Sequence, residues 1–387
     1  MSRFPLATSS WDRAEREALQ RVIDSDRFSM GPEVAAFEAE FARFAGSRFA
    51  VMVNSGSSAN LAMVAALRHT ANPALRLMPG DEVIVPAVSW STTFFPLHQY
   101  GLHLKFVDID RETLNYDLAA LESAVTERTR AIMAVNLLGN PNDFDALRAI
   151  VGDRVLIEDN CESMGATFGT RQCGTFGVMG TFSTFFSHHI STMEGGLVVT
   201  DDEELYHILL ALRAHGWTRN LPRFNRVTGE KSDDPFEESF RFVLPGYNLR
   251  PLEMSGALGR AQLEKLPALV TGRRANGALW QQAMADHPLF RIQRETGESS
   301  WFGFSLVLRP DTGLTRRAVL GRLDALGFET RPIVSGNFTK NPVLRLMDHS
   351  LHGPMSHAEE IDLNGFFIGN HHYDMGEAIG ILAGFRG

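Results

Sequence analysis

The chain reads as an α/β protein: a mostly parallel seven-stranded sheet covered by helices, with a smaller C-terminal α/β domain. Three observations carry that reading. From Arg48 onward short apolar runs alternate with helix-length segments, the pattern of a parallel sheet with helices on both faces. Polar residues gather at the carboxyl ends of those runs, where open α/β sheets bind ligands. At 387 residues the chain is long enough for one large domain and a smaller one, on a prior of about 100–200 residues per domain.

The first segment predicts two helices. Ser9 or Ser10 can cap the first, with Asp12 placing negative charge in its opening turn, and Pro32 begins the second, over 33–44. Val34, Phe37, Phe41 and Phe44 fall at helical spacing on one face, which should be core. The seven strands are expected at 49–53, 82–86, 105–109, 131–138, 155–158, 181–186 and 197–200, with helices at about 58–69, 117–124, 143–151 and 202–215. Residues 217–245 carry no clear period, but aromatics at 217, 224, 236, 240 and 242 favour an ordered lid or subunit contact over a solvated linker. A helix-rich run then reaches about Asp286, followed by strands at 290–293 and 302–307, a helix at about 315–326 and a strand at 328–333. The large domain is therefore expected to span 1–250, with the N-terminal helices of 1–45 placed to pack on the small domain, and the helical connection and small domain 251–387.

Composition excludes several classes. A net charge of -9 and a pI near 5.8 argue against binding to a nucleic-acid backbone, which needs a basic face. Cys161 and Cys173 are the only cysteines, too few for a disulfide framework, a cysteine-ligated iron–sulfur cluster or a structural zinc site. No apolar run reaches the roughly 18 residues of a membrane span, and the N-terminus has no signal-like apolar stretch, so a cytoplasmic protein is expected. Lysine stands only at 105, 231, 265 and 340. An enzyme that needs a Schiff-base lysine has few candidates here.

Four stretches carry chemistry. Asn54-Ser55-Gly56-Ser57-Ser58-Ala59-Asn60 follows a strand and opens a helix, which makes either a phosphate site or an ordinary N-cap. Trp90, in Pro86-Ala-Val-Ser-Trp90-Ser-Thr-Thr93 at another strand's end, can stack on a flat ring or pack in the core. Ile157-Glu158-Asp159-Asn160-Cys161-Glu162 ends a strand with carboxylates that can hold a protonated ring nitrogen, coordinate magnesium or cap the next helix. Phe182-Ser183-Thr-Phe-Phe-Ser-His188-His189 through Glu194-Gly-Gly196 reads as a strand that emerges, turns and returns, holding imidazoles at the rim of a cleft. Taken together, a phosphate nest, an aromatic plate and an acid match pyridoxal phosphate, whose pyridine nitrogen must stay protonated for the ring to act as an electron sink. The lysine is missing.

Over nearly its whole length the chain resembles the sugar aminotransferases that act on nucleotide-linked keto sugars, a branch of the aspartate aminotransferase-like fold (pyridoxal-phosphate fold type I). The resemblance runs through Ser29-Met-Gly-Pro-Glu-Val-Ala-Ala-Phe-Glu38, the 54–60 stretch, Glu158-Asp-Asn-Cys-Glu162, Phe182-Ser183, Glu194-Gly-Gly196 and Gly246-Tyr-Asn248-Leu-Arg250-Pro-Leu-Glu253. Where that family has its Schiff-base lysine, five residues after the serine of Phe-Ser, this chain has His188. A histidine there resembles the 3-dehydratase branch, and 246–257 is similar to dehydratases of GDP-4-keto-6-deoxymannose. The CDP-linked 3-dehydratases carry a cysteine-bound iron–sulfur cluster, which two cysteines cannot supply.

The resemblance implies a non-covalent cofactor cycling between pyridoxal and pyridoxamine phosphate, since imidazole forms no stable Schiff base. L-Glutamate would supply the amino group, the amine would condense with the C4 ketone of a GDP-linked sugar, and His188 would take the methylene proton as the C3 hydroxyl leaves. An unperturbed imidazole pKa near 6.5 suits that step. Position by position, Gly56, Ser57 and Ser183 are implied as phosphate contacts, with Asn248 reaching in from a neighbouring subunit of an obligate homodimer. Trp90 is implied to stack on the ring, Asp159 to bind its nitrogen and Glu162 to sit beside it. Arg250, His215, Arg219 and Arg331 are implied for the glutamate carboxylate or the sugar nucleotide, and His189 as support for His188. An aminotransferase using another lysine and a non-catalytic cofactor-binding relative are the alternatives.

Overall fold

Eight strands, not the expected seven, pair into the central sheet of the computed structural model, which describes residues 2–387. In chain order the strands are β1 (Phe49–Val53), β2 (Glu82–Pro86), β3 (His103–Val107), β4 (Thr129–Val135), β5 (Val155–Asp159), β6 (Met179–Ser183) and β7 (Gly196–Thr200). The C-terminal part adds β8 (Phe290–Arg291), β9 (Gly303–Leu308), β10 (His349–His352) and β11 (Gly365–Gly369). The large sheet runs β1-β7-β6-β5-β4-β2-β3-β10. Only β7 is antiparallel to its neighbours, β1 and β6. The strand that sequence reading missed is β10, a four-residue edge strand whose one apolar side chain, Leu351, is exposed. Its ladder to β3 makes it a strand, and nothing in its polarity announces one.

The strands buried on both faces are the near-continuously apolar ones. β2 and β5 are buried at every position, as expected of a sheet sandwiched between helices. Gly56–His69 and Glu203–Arg213 cover one face, packing Met63, Leu67, Ile208 and Leu212 onto Val51, Val85 and Val198. Pro32–Ala45 and the 32-residue helix Glu253–Met284 cover β1, β6 and β7, packing Phe37, Phe41 and Leu266 onto Met52, Phe182 and Leu197. Each such side chain contributes about 1.5–3 kcal/mol when fully buried. Of the four residues expected on the inner face of the second helix, three are buried and Phe44 is half-buried. The first helix starts later than expected. Asp12 itself is the N-cap, accepting from the Ala14 N–H at 2.7 Å, while Glu15 accepts from the Asp12 N–H at 2.7 Å to complete a capping box.

A second core lies under the small antiparallel sheet β8-β9-β11, where Trp280 stacks on Phe304 with centroids 4.6 Å apart. Residues 328–333 do not form the expected strand; they make isolated bridges at Phe328 and Arg331, and β11 takes the sheet position beside β9. The N-terminus reaches this second core, with Phe4 stacked on Phe328 at 4.4 Å. Residues 217–245 are ordered: a short hairpin pairs Phe224–Asn225 with Gly229–Glu230, a helical turn spans Pro235–Glu238, and Trp217 bridges to Phe242. Phe224, Phe236, Phe240 and Phe242 are nonetheless 69%, 88%, 68% and 56% exposed. Among the described residues no helix is long and apolar enough to cross a membrane.

Candidate active site

The carboxyl ends of β1, β2, β4, β5 and β6 open into one cavity of about 600 Å³, as the topology of an open α/β sheet dictates. Gly56, Ser57, Trp90, Asp159, Glu162, Ser183, His188 and Arg331 line it; His189 lies behind it, and Asn248 does not reach it.

At the β1 end, Ser55 caps the helix Gly56–His69 by accepting from the Ser58 N–H at 3.1 Å, so the ordinary capping role is real and belongs to Ser55. Gly56 and Ser57 sit in the first turn, where exposed N–H groups and the helix dipole favour an anion. Gly56 is sterically required: a Cβ there would lie 2.7 Å from Ser183 Cβ and 2.9 Å from Cys161 Sγ. The close approach brings the Ser183 hydroxyl beside the helix N-terminus. Ser57, Ser183 and the first turn form a hydroxyl-lined cradle of the kind a phosphate monoester fits.

Asp159 forms the floor. Its Oδ2 accepts from Asn60 Nδ2 at 2.8 Å and from Thr93 Oγ1 at 2.7 Å, and its Oδ1 accepts from the Cys161 N–H at 3.2 Å. Asn60 is itself oriented by the Thr181 hydroxyl at 2.7 Å. The carboxylate caps no helix, and the described residues contain no cluster of three or more ligand-type side chains for a metal. Glu158 has a separate structural role, accepting from the Gly174 and Gly177 N–H groups at 2.7 Å each in a buried turn. Trp90 is 57% exposed at the cavity wall, so core packing does not account for it. A hydroxyl cradle, an uncovered aromatic and a buried acid are thus on one cavity, which fits a phosphorylated pyridine ring.

Glu162 accepts from the Leu138 N–H at 3.0 Å, and burial, aided by the Asp159 charge, pushes its carboxyl up to about 7. Near neutral pH it can therefore either donate or accept a proton. His188 stands in the loop between β6 and β7, with Nδ1 3.0 Å from the Cys161 carbonyl oxygen. A carbonyl only accepts, so Nδ1 carries the proton and Nε2 of the neutral ring is the basic atom. The unperturbed imidazole expected from sequence is corrected here. Burial, with Arg273 adding to it, lowers His188 to about 4, against the opposing Cys161 carbonyl and Asp159. The ring is neutral throughout the physiological range. His189 is fully buried, with Nε2 donating to the Ser300 carbonyl at 3.1 Å.

Four predicted substrate or phosphate residues lie outside this chain's cavity. Arg250 Nε donates to Asn248 Oδ1 at 2.9 Å, and the Asn54 N–H bonds the Leu249 carbonyl at 2.9 Å, so this segment borders the cradle without entering it. His215 is a left-handed residue (φ 61°) whose N–H bonds the Tyr247 carbonyl, and Arg219 lies over the Trp217 ring at 4.5 Å. Sequence reading missed Asn60, Thr93 and Phe302. Thr93 lay within reach, three residues beyond Trp90 in the same strand-end motif. Each lysine is engaged away from the cavity: Lys105 with Glu82, Lys231 with the Leu221 carbonyl, Lys265 with Glu15, and Lys340 with Glu359 and Asp362.

A cavity at the strand ends of an aminotransferase-like fold type I, with His188 on its wall, defines the class. The chain belongs to the DegT/DnrJ/EryC1/StrS aminotransferase family, whose model matches residues 9–376. It is 59% identical over 382 residues to a GDP-4-keto-6-deoxy-D-mannose 3-dehydratase of Yersinia pseudotuberculosis, covering 98% of this chain and 97% of the relative. Among solved structures it is similar to a GDP-4-keto-6-deoxymannose-3-dehydratase holding a trapped PLP–glutamate geminal diamine, with a TM-score of 0.97, 57% identity and coverage of 98% and 99% of the two chains. A histidine-to-asparagine variant of such an enzyme, solved with bound GDP-perosamine, matches with a TM-score of 0.97 and 56% identity over 99% of this chain and 100% of that one.

Proposed function

We propose that the chain removes the C3 hydroxyl of GDP-4-keto-6-deoxy-D-mannose, giving GDP-4-keto-3,6-dideoxy-D-mannose, with L-glutamate as amino donor. The observation that carries the reading is His188: a neutral imidazole with Nδ1 tethered and Nε2 free, standing where a Schiff-base lysine would be. Relatives of that activity, similar along the whole chain, support it.

When bound, pyridoxal phosphate supplies an electron sink and an exchangeable amino group. The first turn at Gly56 and Ser57, with Ser183, would hold its phosphate, Trp90 would cover one ring face, and Asp159 would keep the ring nitrogen protonated. His188 Nε2 would take and return protons on the ring's reactive side, and Glu162, poised near neutrality, would sit beside it. Arg331 at the cavity mouth, with Arg250, His215 and Arg219, would bind the nucleotide and carboxylate groups. Residues 1–250 would act as the cofactor domain and 251–387 as the smaller one; the small sheet has a core of its own, while Phe338, Leu344 and Met347 pack into the core of the large sheet. The reaction runs in the cytoplasm and needs no external reductant, because glutamate provides both electrons.

The balance of the reaction gives its test: each deoxygenated keto sugar must be matched by one 2-oxoglutarate and one ammonia. Assays with GDP-, CDP- and dTDP-linked 4-keto-6-deoxy sugars are expected to give this stoichiometry with the GDP sugar. A stable amino sugar would instead identify an aminotransferase, and cofactor binding without turnover a non-catalytic relative.

The active unit is a homodimer in which Asn248 completes the partner's phosphate site. The exposed apolar side chains Phe28, Phe185, Phe186, Met193 and Leu252, near the cavity and the 248–252 segment, support a covered face. His188→Asn and Asn248→Ala proteins, each impaired alone, are expected to regain activity when mixed under subunit exchange, since one site of each mixed dimer is then intact. Mixed dimers that stay as inactive as their parents would place Asn248 in its own subunit's site.

A further inference from the structure

Two buried non-glycine left-handed residues, Leu138 (φ 54°) and Trp301 (φ 48°), stand on neighbouring segments joined by backbone hydrogen bonds beside the cavity. Such backbone is strained and persists only where neighbours over-determine it. Here the neighbours are explicit. The Phe302 N–H bonds the Leu138 carbonyl at 3.0 Å and the Ser300 N–H bonds the Gly139 carbonyl at 3.0 Å. Gly139 must lack a side chain, because a Cβ would lie 2.7 Å from Trp301 N and 2.8 Å from Phe302 N.

The carbonyls of the strap formed by residues 300–302 are clamped from the other side. Ser300 accepts from His189 Nε2 at 3.1 Å, Trp301 from Asn370 Nδ2 at 2.8 Å, and Phe302 from Arg273 Nη1 at 3.1 Å. What this fixed strap delivers to the cavity is the Phe302 ring, edge-to-face on His188 with centroids 5.1 Å apart at 82°. Phe185 makes a second edge contact at 5.9 Å.

We propose that Phe302 is a positioning residue for His188: held by the Leu138–Trp301 clasp, it fixes the imidazole with Nε2 toward the cavity and excludes water from the ring. It touches no reacting atom. The charged and titratable groups around His188 are Asp159, Cys161 and Glu162 from the β5 end, His189 beside it, Glu194 and Arg331 on the cavity wall, and Arg273 from the long helix. Burial is the largest cause holding the ring neutral; Arg273 adds to it, and the Cys161 carbonyl and Asp159 oppose it, so opening the apolar cover to water shifts the balance toward protonation.

The proposal rests on His188 being the base, and its test separates the two. Protein labelled at histidine, with the His188 resonance identified by its loss in His188→Asn, is titrated from a pH of about 8 to 5.5, across the ordinary imidazole range. The parent is expected to show no His188 transition there, and Phe302→Leu to show one moving toward the ordinary imidazole value. In turnover, Phe302→Leu should lose about tenfold or more in kcat, within the range that general-base positioning controls, while KM for glutamate stays within twofold. Phe302→Tyr, which keeps the ring edge, should restore both readouts. An unshifted His188 in Phe302→Leu, or a kcat loss that merely follows cofactor loss, would overturn the proposal. Phe302→Met gives the same reading if the leucine variant does not fold. Full turnover in His188→Asn, with His188 shifted in Phe302→Leu as expected, would instead remove the base assignment and leave the positioning contact standing.

Discussion

Asparagine in place of His188 is expected to lower turnover by about 10²–10⁴-fold, the contribution of a positioned general base, while cofactor affinity stays near that of the parent. The reason is local. Asparagine can still donate to the Cys161 carbonyl that His188 Nδ1 now reaches at 3.0 Å. It offers no basic nitrogen, and it leaves Ser57, Ser183, Trp90 and Asp159 untouched. Cofactor titration by absorbance, alongside ammonia and 2-oxoglutarate release, checks both halves, and an unchanged kcat would take His188 out of the mechanism. His188→Lys sharpens the result: a primary amine at that position should give a borohydride-reducible link to the cofactor. The parent should give none at any lysine, because Lys105, Lys231, Lys265 and Lys340 are all bonded away from the cavity.

The histidine's place was legible in sequence because its register with Ser183 and with Gly195-Gly196 is local, and the β6–β7 hairpin pairs Ser183 with Gly196. Its chemistry was not, since what lowers its basicity is burial in the folded chain, with Arg273 of the long helix, 85 residues away, adding to it. The strand ends were readable for a related reason: an apolar run ending in Asp159 or Trp90 states both burial and its limit. The donors that fix Asp159 come from Asn60 and Thr93, 99 and 66 residues away, and only the sheet order brings them together. β10 failed because an edge strand needs no hydrophobic pattern. The helix Ser91–Gln99 was unread because its threonines, phenylalanines and Pro96 are poor helix formers, and packing overrides them.

Asp159→Asn separates charge from shape at the floor of the site. The amide oxygen can still accept from Asn60 and Thr93, losing only the longer bond from the Cys161 N–H, whereas alanine would leave all three donors unpaired. What asparagine loses is the negative charge that would face the protonated ring nitrogen. Removing one member of a buried charge pair costs about 3–5 kcal/mol, which corresponds to about 10²–10³-fold or more in rate if the full effect falls on the transition state. Turnover should fall by that order while thermal stability without cofactor holds or rises, because the desolvation of a buried carboxylate is relieved. The two measurements must move apart. A melting temperature that falls in step with activity would make Asp159 a structural acid like Glu158, and activity within tenfold of the parent would mean that the ring's electron sink does not depend on this carboxylate.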